Sequence, residues 1–333
     1  MFTPVIDRVA PAVSINGNYM GNVLSADIAS TSSFSADTFS VTLAIGSGPL
    51  DSTAFWSSVS EAYVEIFSSD MTICFITGMA DMVLIDPLQG IIKVEGRDLS
   101  SRLIETSPEQ DFVNQTAAEI VTSVASKHGL LPTIVPTTGM TGRFYGDNFT
   151  RLSIGKFTNV RSEWDLVVEL ARECQYDVYV NGQTLYFEPT AVLTGTPLIL
   201  TLDILSSLRI ERALWISASP VVQMSTWSSQ DLAVYSQTEG ATASTSAYFF
   251  SGSNLTSSQV SQYSARYLNE ITRMSQIVSA EMPWTDSINT RTPVYLYGAG
   301  GTLDGAYRVD HIDRQFRTST GSRQRLVLSR STV

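Results

Sequence analysis

Chemistry in this chain would have to come from a small set of side chains: two histidines, two cysteines and thirty-two acidic residues among 333. His128 and His311 stand apart, and no H-E-x-x-H motif puts two imidazoles on one helix face, as a zinc hydrolase would need. His128 falls at the C-terminal end of a predicted helix, where an imidazole interacts with the last carbonyls and the helix dipole. His311 lies in a predicted strand near Asp310 and Asp313. Cys74, in an apolar strand-like run, and Cys174, on a predicted helix, define no disulfide framework or zinc site and are expected to be buried free thiols. Gly298, Gly300 and Gly301 suggest a nucleotide loop, but Leu303 occupies the third glycine position of G-x-G-x-x-G. The chain beyond it is strand-like, so a hairpin turn is expected. A glycosidase would need two carboxylates at a fixed separation, and nothing in the sequence sets Glu105, Glu109 or Glu163 apart as perturbed acids. No G-x-S-x-G elbow occurs. No catalytic, cofactor-binding or metal-ligating residue is assigned, and the chain is expected not to be an enzyme.

The elements that would position any site are mostly strands. Hydrophobic residues make up 43% and charged residues 16%, a balance that supports packed cores and surfaces covered by neighbours. At this length two or three domains are expected. The net charge of −11 disfavours a nonspecific grip on DNA or an anionic membrane. Residues 308–330 run the other way: six arginines (308, 314, 317, 323, 325, 330) against Asp310 and Asp313 give +4 and leave −15 elsewhere. This stretch reads either as a salt-bridged hairpin or as a contact for an acidic neighbour. Asp7 and Arg8 stand where a signal peptide would be apolar, and no run reaches the roughly 18–20 apolar residues that span a bilayer, so no membrane insertion is expected.

Three regions emerge. Residues 1–107 alternate with a period of two, clearest from Phe39 to Ile45, and Asn16-Gly17 signals a tight hairpin turn. Strands are expected at 62–67, 73–76, 82–85 and 91–94. Residues 108–199 are mixed. A helix from Thr116 to His128 carries the capping-box pair Thr116 and Glu119, and Gly129 ends it in the left-handed conformation. A second helix starts at Ser162 with Asp165 three residues on, and a hairpin follows, turning at Asn181-Gly182. Residues 200–333 return to strands. They include a Ser/Thr-rich stretch from Gln237 to Ser258, expected as a long exposed loop around Tyr248-Phe249-Phe250, and a one-sided helix at about 259–276. A slip in alternation between Val309 and Ile312 predicts a bulge near His311.

Gly96-Arg97-Asp98, then Asn114-Gln115-Thr116, then His128-Gly129-Leu130 resemble, in order and spacing, the baseplate hub proteins of tailed phages, the late-control D family and its Mu-like relatives. The run from Trp164 to Pro189 is similar to the helix and hairpin of that family's middle domain. The resemblance implies an α+β, β-rich multidomain fold, with two β-barrel-like domains (1–107 and 200–333) flanking a smaller mixed domain (108–199). It also implies a structural virion protein of the phage tail, a homotrimer forming a pseudo-sixfold ring. Such a ring joins the tail tube protein to a central spike or tip protein, contacts other baseplate proteins, and gives ejected DNA a channel without sequence-specific binding. The alternatives are a tail-associated cell-wall-degrading enzyme and a host-binding tail adhesin. If the chain lines a DNA conduit, acids should dominate the wall and the 308–330 arginines should face outward or a neighbour. Arg97 and Asp98 are expected to act as an ion pair or turn lock between the first β domain and the next.

Overall fold

A computed structural model describes residues 10–330 except 49, 147–148, 154–159, 191–195, 215, 217–219, 229–230, 241–246 and 254. The first unit contains β1 (Ala12–Ile15), β2 (Asn18–Met20), β3 (Val23–Thr31), β4 (Thr38–Ala44), α1 (Thr53–Ser58), β5 (Tyr63–Phe67), β6 (Cys74–Asp86) and β7 (Ile91–Asp98). Ile15 pairs with Asn18, so Asn16 and Gly17 form the two-residue turn, both at positive φ. The strands expected at 73–76 and 82–85 are one strand, β6. The register shifts between Ala80 and Met82, so Asp81 is an extra residue that reverses the in–out alternation and made one strand read as two. Helix α1, capped by the Ser52 side chain and burying Trp56, was too short to give a helical period.

The middle unit follows: α2 (Ser101–Ile104), β8 (Phe112–Val113), α3 (Ala117–Lys127), β9 (Leu131–Ile134), β10 (Arg143–Gly146), β11 (Phe149–Leu152), α4 (Glu163–Cys174), β12 (Tyr176–Asn181) and β13 (Thr184–Pro189). Both predicted capping boxes are present, Thr116 with Glu119 and Ser162 with Asp165. Gly129 has φ +70°, as a left-handed helix end requires. The hairpin turn lies one residue later than expected, at Gly182 and Gln183, because Asn181 still pairs with Thr184. Ile120, Val121, Val124, Trp164, Val167, Leu170, Val178 and Phe187 form one buried core between these helices and the β12–β13 hairpin.

The last part contains β14 (Leu198–Thr201), β15 (Ser207–Arg212), β16 (Val221–Ser228), β17 (Ala233–Gly240), β18 (Ala247–Ser253), α5 (Ser257–Met274), β19 (Gln276–Pro283), β20 (Pro293–Tyr297), β21 (Gly305–Arg317) and β22 (Gly321–Arg330). In the stretch expected as a loop, 237–258, the described residues are instead mostly strand: β17 and β18 pair on either side of β16. Residues 241–246 and 254 of it lie outside the described residues. Thr238, Ser251 and Ser253 lie in these strands, which a Ser/Thr-rich composition does not reveal. Phe250 stacks on Tyr267 of α5 at 4.1 Å, whereas Phe249 remains 74% exposed. The glycines from Gly298 to Gly301 connect β20 to β21, the hairpin connection expected.

The chain is thus α+β, β-rich and multidomain, with strands of both β regions joined in one 13-stranded sheet, in the order β15-β19-β22-β21-β3-β4-β7-β6-β5-β1-β2, with β14 and β20 alongside β21. The two halves repeat one plan. In the first, the order β3-β4-β7-β6-β5 follows from strands made in the sequence β3, β4, β5, β6, β7. In the second, β15-β19-β22-β21-β20 follows from β15, β19, β20, β21, β22, with β16–β18 and α5 inserted after the first strand. In each, the fourth strand is 13 residues long and bulges at an aspartate, Asp81 or Asp310. The bulge expected near His311 is this one.

Candidate functional site

The structure concentrates its buried charge at joints. The first joint is the seam between the two β units, where β21 beyond its bulge pairs with β3, from His311 opposite Thr31 to Arg317 opposite Ser25. Before the bulge the same edge of β21 pairs with β20. One long strand therefore belongs to both units. Arg314 is buried here, 2% exposed, with its guanidinium over the Phe75 ring at 4.6 Å and the Trp284 ring at 5.9 Å. It donates to the Ile288 carbonyl and to Asn289 Oδ1 (3.0 Å), and burial lowers its pKa to about 10. Phe75 and Trp284 meet edge to face at 5.3 Å, so the first unit's core is closed by a residue 209 positions downstream in the second half. Arg317 ion-pairs with Asp27 across the seam at 2.8 Å.

The second joint ties the middle unit to both. Asp98, 5% exposed, accepts from the backbone N–H of Asp37 (3.1 Å) and of Ser100 (3.0 Å) and from the Ser100 hydroxyl. Asp37 in turn accepts from the Thr31 N–H at 2.7 Å. Burial pushes the Asp98 carboxyl up to about 7, with the Asp37 charge adding to it, and burial raises Asp37 to about 6. This pair fixes the end of β7 to the β3–β4 loop and to the start of α2. Arg97 binds Asp81 (2.6 Å) and Glu105 (2.7 Å) and not Asp98, so the expected Arg97–Asp98 ion pair is corrected: Asp98 is the turn lock and Arg97 clamps the bulge. Successive residues on a strand point to opposite faces, which keeps the two side chains apart. Gly96 is needed because a Cβ there would lie 2.1 Å from the Met79 carbonyl oxygen and 2.5 Å from the Phe39 ring.

From the β3–β4 loop, Phe34 enters the middle core; its N–H bonds the Val178 carbonyl, and its carbonyl accepts from the Trp164 indole. From β21, Arg308 reaches Asp177 at 2.9 Å, each side chain 6% exposed. The structure places His128 against the Glu163 carboxylate, which also accepts from Lys127 at 2.5 Å, so these residues clip α3 to α4. His311 bonds Asp313, which holds the histidine pKa above and the aspartate pKa below their ordinary values. Cys74 is exposed, contrary to the expectation of burial, because it begins β6 at the rim; Cys174 is half-buried, and burial raises both thiols, Cys174 to about 12. Both are free.

The arginines of 308–330 do not share one outward side. Arg308 and Arg314 are buried, and Arg317, Arg323 and Arg325 lie on the face of the sheet turned away from the cores. The alternation of each strand puts Asp27, Glu95, Asp313 and Glu281 on that same face, beside Lys93 and Arg97. Acids therefore do not dominate it. A depression of about 450 Å³ lies on this face over the seam, lined by Asp27, Ser40, Glu95, Arg97, Asp313 and Gln315 among others. Among the described residues no group of three or more His, Cys, Asp or Glu could hold a metal ion, and no helix is long and apolar enough to cross a membrane. Sequence reading had found Arg97, Asp98 and the Arg-rich stretch. It missed Phe34, Asp37, Asp177 and Trp284, whose partners are remote in sequence; only the lone aromatic in S-T-S-S-F-S was a local signal.

No protein-family model and no curated protein matches the chain. Solved structures do. The tail protein from Neisseria meningitidis MC58 superposes with a TM-score of 0.73 at 11% identity, covering 96% of this chain and 97% of that one. The 43 kDa tail protein of prophage MuSo2 from Shewanella oneidensis gives 0.70 at 13% identity, covering 96% and 98%. An E. coli component of the type VI secretion system, described as structurally similar to T4 phage tail proteins, gives 0.60 at 9% identity, covering 96% and 77%. Across nearly its whole length, the chain has the fold of phage tail proteins.

Proposed function

We propose that this chain is a structural virion protein, the hub of a phage tail or baseplate. It acts as a homotrimer that joins the tail tube to a central spike or tip and surrounds a channel for ejected DNA. The observation that carries this reading is the repeated β plan within one sheet. A subunit presenting two copies of one unit lets three subunits offer six similar positions to a sixfold tube, while keeping threefold symmetry for a spike. Full-length similarity to phage tail proteins supports the same assignment.

The two β units, β1–β7 and the strands from about residue 200 on, form the ring, and the unit between them, from α2 to about residue 199, lies outside it. The wall offered to DNA is the charge-paired face bearing Asp27, Arg317, Lys93 and Glu95. Matched charges leave little net field to hold phosphates, so DNA slides without an acid-dominated lining. Catalysis has no part in this function. The test is light scattering together with negative-stain imaging of the purified chain. A threefold ring with a central opening supports the hub; a monomer at micromolar concentration refutes it.

A further inference from the structure

The seam inside the chain joins two strands whose counterparts in the repeated plan have no such partner among the described residues. In the seam, the outer edge of β3 pairs antiparallel with β21 beyond its Asp310 bulge. In the repeated plan, β15 holds the place of β3, and β6 with its Asp81 bulge holds the place of β21. Both of these counterparts are open among the described residues. β15 ends the sheet with β19 as its one neighbour, and β5 covers β6 only as far as Met79, leaving Met82–Asp86 bonded on the β7 side alone. Open edges carry a row of unpaired N–H and C=O groups that template another strand.

We infer that β15 of one subunit pairs antiparallel with the Met82–Asp86 edge of β6 in a second copy of this chain, repeating the internal seam at every subunit junction. This rests on the trimer proposed above and specifies its contact. The register follows from the ladders. Through β4 and β7, Met82 aligns with Asp27; through β22 and β19, His311 aligns with Arg209. Asp27 and Arg209 are therefore equivalent. Asp27 faces Gln315, five residues past the Asp310 bulge, so Arg209 must face Asp86, five past Asp81. The same register sets Glu211 opposite Leu84 and Ile210 opposite Ile85.

The chemistry of this junction is complementary. Asp86 and Arg209 are opposite charges directly across the strands, a favourable cross-strand pair. Ile85 and Ile210, each half-buried at the rim of its own core, meet on the core side. Leu84 is 49% exposed in the isolated chain, and the neighbouring strand covers it. An acidic or unrelated partner would not reproduce this alternation in register, whereas a second copy does.

Cross-linking tests the register. The full chain carrying Cys74→Ala, Leu84→Cys and Glu211→Cys is oxidised and run without reductant, since residues directly opposite have Cβ atoms about 4.5–5.5 Å apart. A covalent ladder ending at trimer is expected, and far less product from Leu84→Cys with Arg209→Cys, one pair out of register. A chain that light scattering shows to be trimeric but that fails to cross-link at Leu84 and Glu211 overturns the edge pairing and leaves the hub reading standing. A monomer overturns both. In parallel, Asp86→Arg should raise the concentration needed for trimer about tenfold or more by opposing two guanidiniums, and adding Arg209→Asp should restore it. Unchanged assembly in Asp86→Arg, with native circular dichroism, likewise overturns the pairing.

Discussion

Removing the Asp177 carboxylate should unlatch the C-terminal β unit from the middle unit. Arg308 and Asp177 sit 2.9 Å apart with each side chain 6% exposed. At that separation and an effective dielectric near 20, their gross attraction is about 6 kcal/mol. Desolvating both ions takes back several kcal/mol, so the intact pair adds little net stability. Truncation is different, because Asp177→Ala keeps Arg308 buried and deprives it of its close partner; Asp310, 3.8 Å from Arg308 Nε, is already engaged by Arg273 at 2.7 Å. The expected loss is about 3–5 kcal/mol. Arg308→Met with Asp177→Leu replaces the pair by apolar side chains and should return to within about 2 kcal/mol of the parent. Thr190→Val controls for the hydroxyl that also bonds Asp177, at 3.1 Å. Urea unfolding followed by circular dichroism gives all four values. If Asp177→Ala costs less than about 1 kcal/mol, or the two sites prove additive, the pair is not the buried latch described, since groups in contact must couple.

Three further outcomes follow from the joints. Gly96→Ala should destabilise by at least about 1–3 kcal/mol, because its methyl collides with the Met79 carbonyl and Phe39; a parent-like thermal midpoint would show that the strands can spread there. Asp98 keeps its proton in the fold up to about pH 7, whereas the unfolded chain releases it near 3.8, so the folded state binds more protons across that window and stability falls as pH rises through it. Asp98→Asn should flatten that slope in a pH series of melting temperatures. Asp37, Glu173 and His311, also raised, titrate in the same direction and leave a residual slope; a slope unchanged in the variant would exclude Asp98. Trp284→Ala should cost about 3–5 kcal/mol by opening a cavity between Phe75 and Arg314; a loss under 1 kcal/mol in chemical denaturation would mean the seam repacks freely.

What the sequence disclosed was local. Thr116 with Glu119, Ser162 with Asp165, the Asn16-Gly17 turn and the slipped alternation at Asp310 each depend on residues within a few positions of one another, and the structure has all of them. The β6 bulge looks like a gap in the sequence because its extra residue reverses the pattern that defines a strand. Pairing across the molecule left no such trace: nothing in residues 25–31 names 311–317 as their partner. The same holds for Asp177 and Arg308, 131 positions apart, and for Phe34 beneath the Trp164 indole. Periodicity tells which face of a strand is buried, and the choice of neighbour is made by tertiary packing.

The seam also shapes how the chain reaches its native state. β3 is made early, yet its outer partner is not complete until Arg317 has left the ribosome. Until then β4 alone holds it, and the first unit's core lacks Trp284 and Phe316. Contacts of such separation slow folding, and a waiting edge invites pairing with another nascent chain. The β3 edge and the β15 edge are therefore competitors during synthesis: a β6 or β21 strand from a neighbour can occupy β3 before its own does. Correct assembly depends on the intramolecular seam closing first, which local concentration favours in dilute chains and crowding on a polysome opposes. Yield of soluble protein should thus fall with expression rate more steeply than for a chain whose sheets close locally.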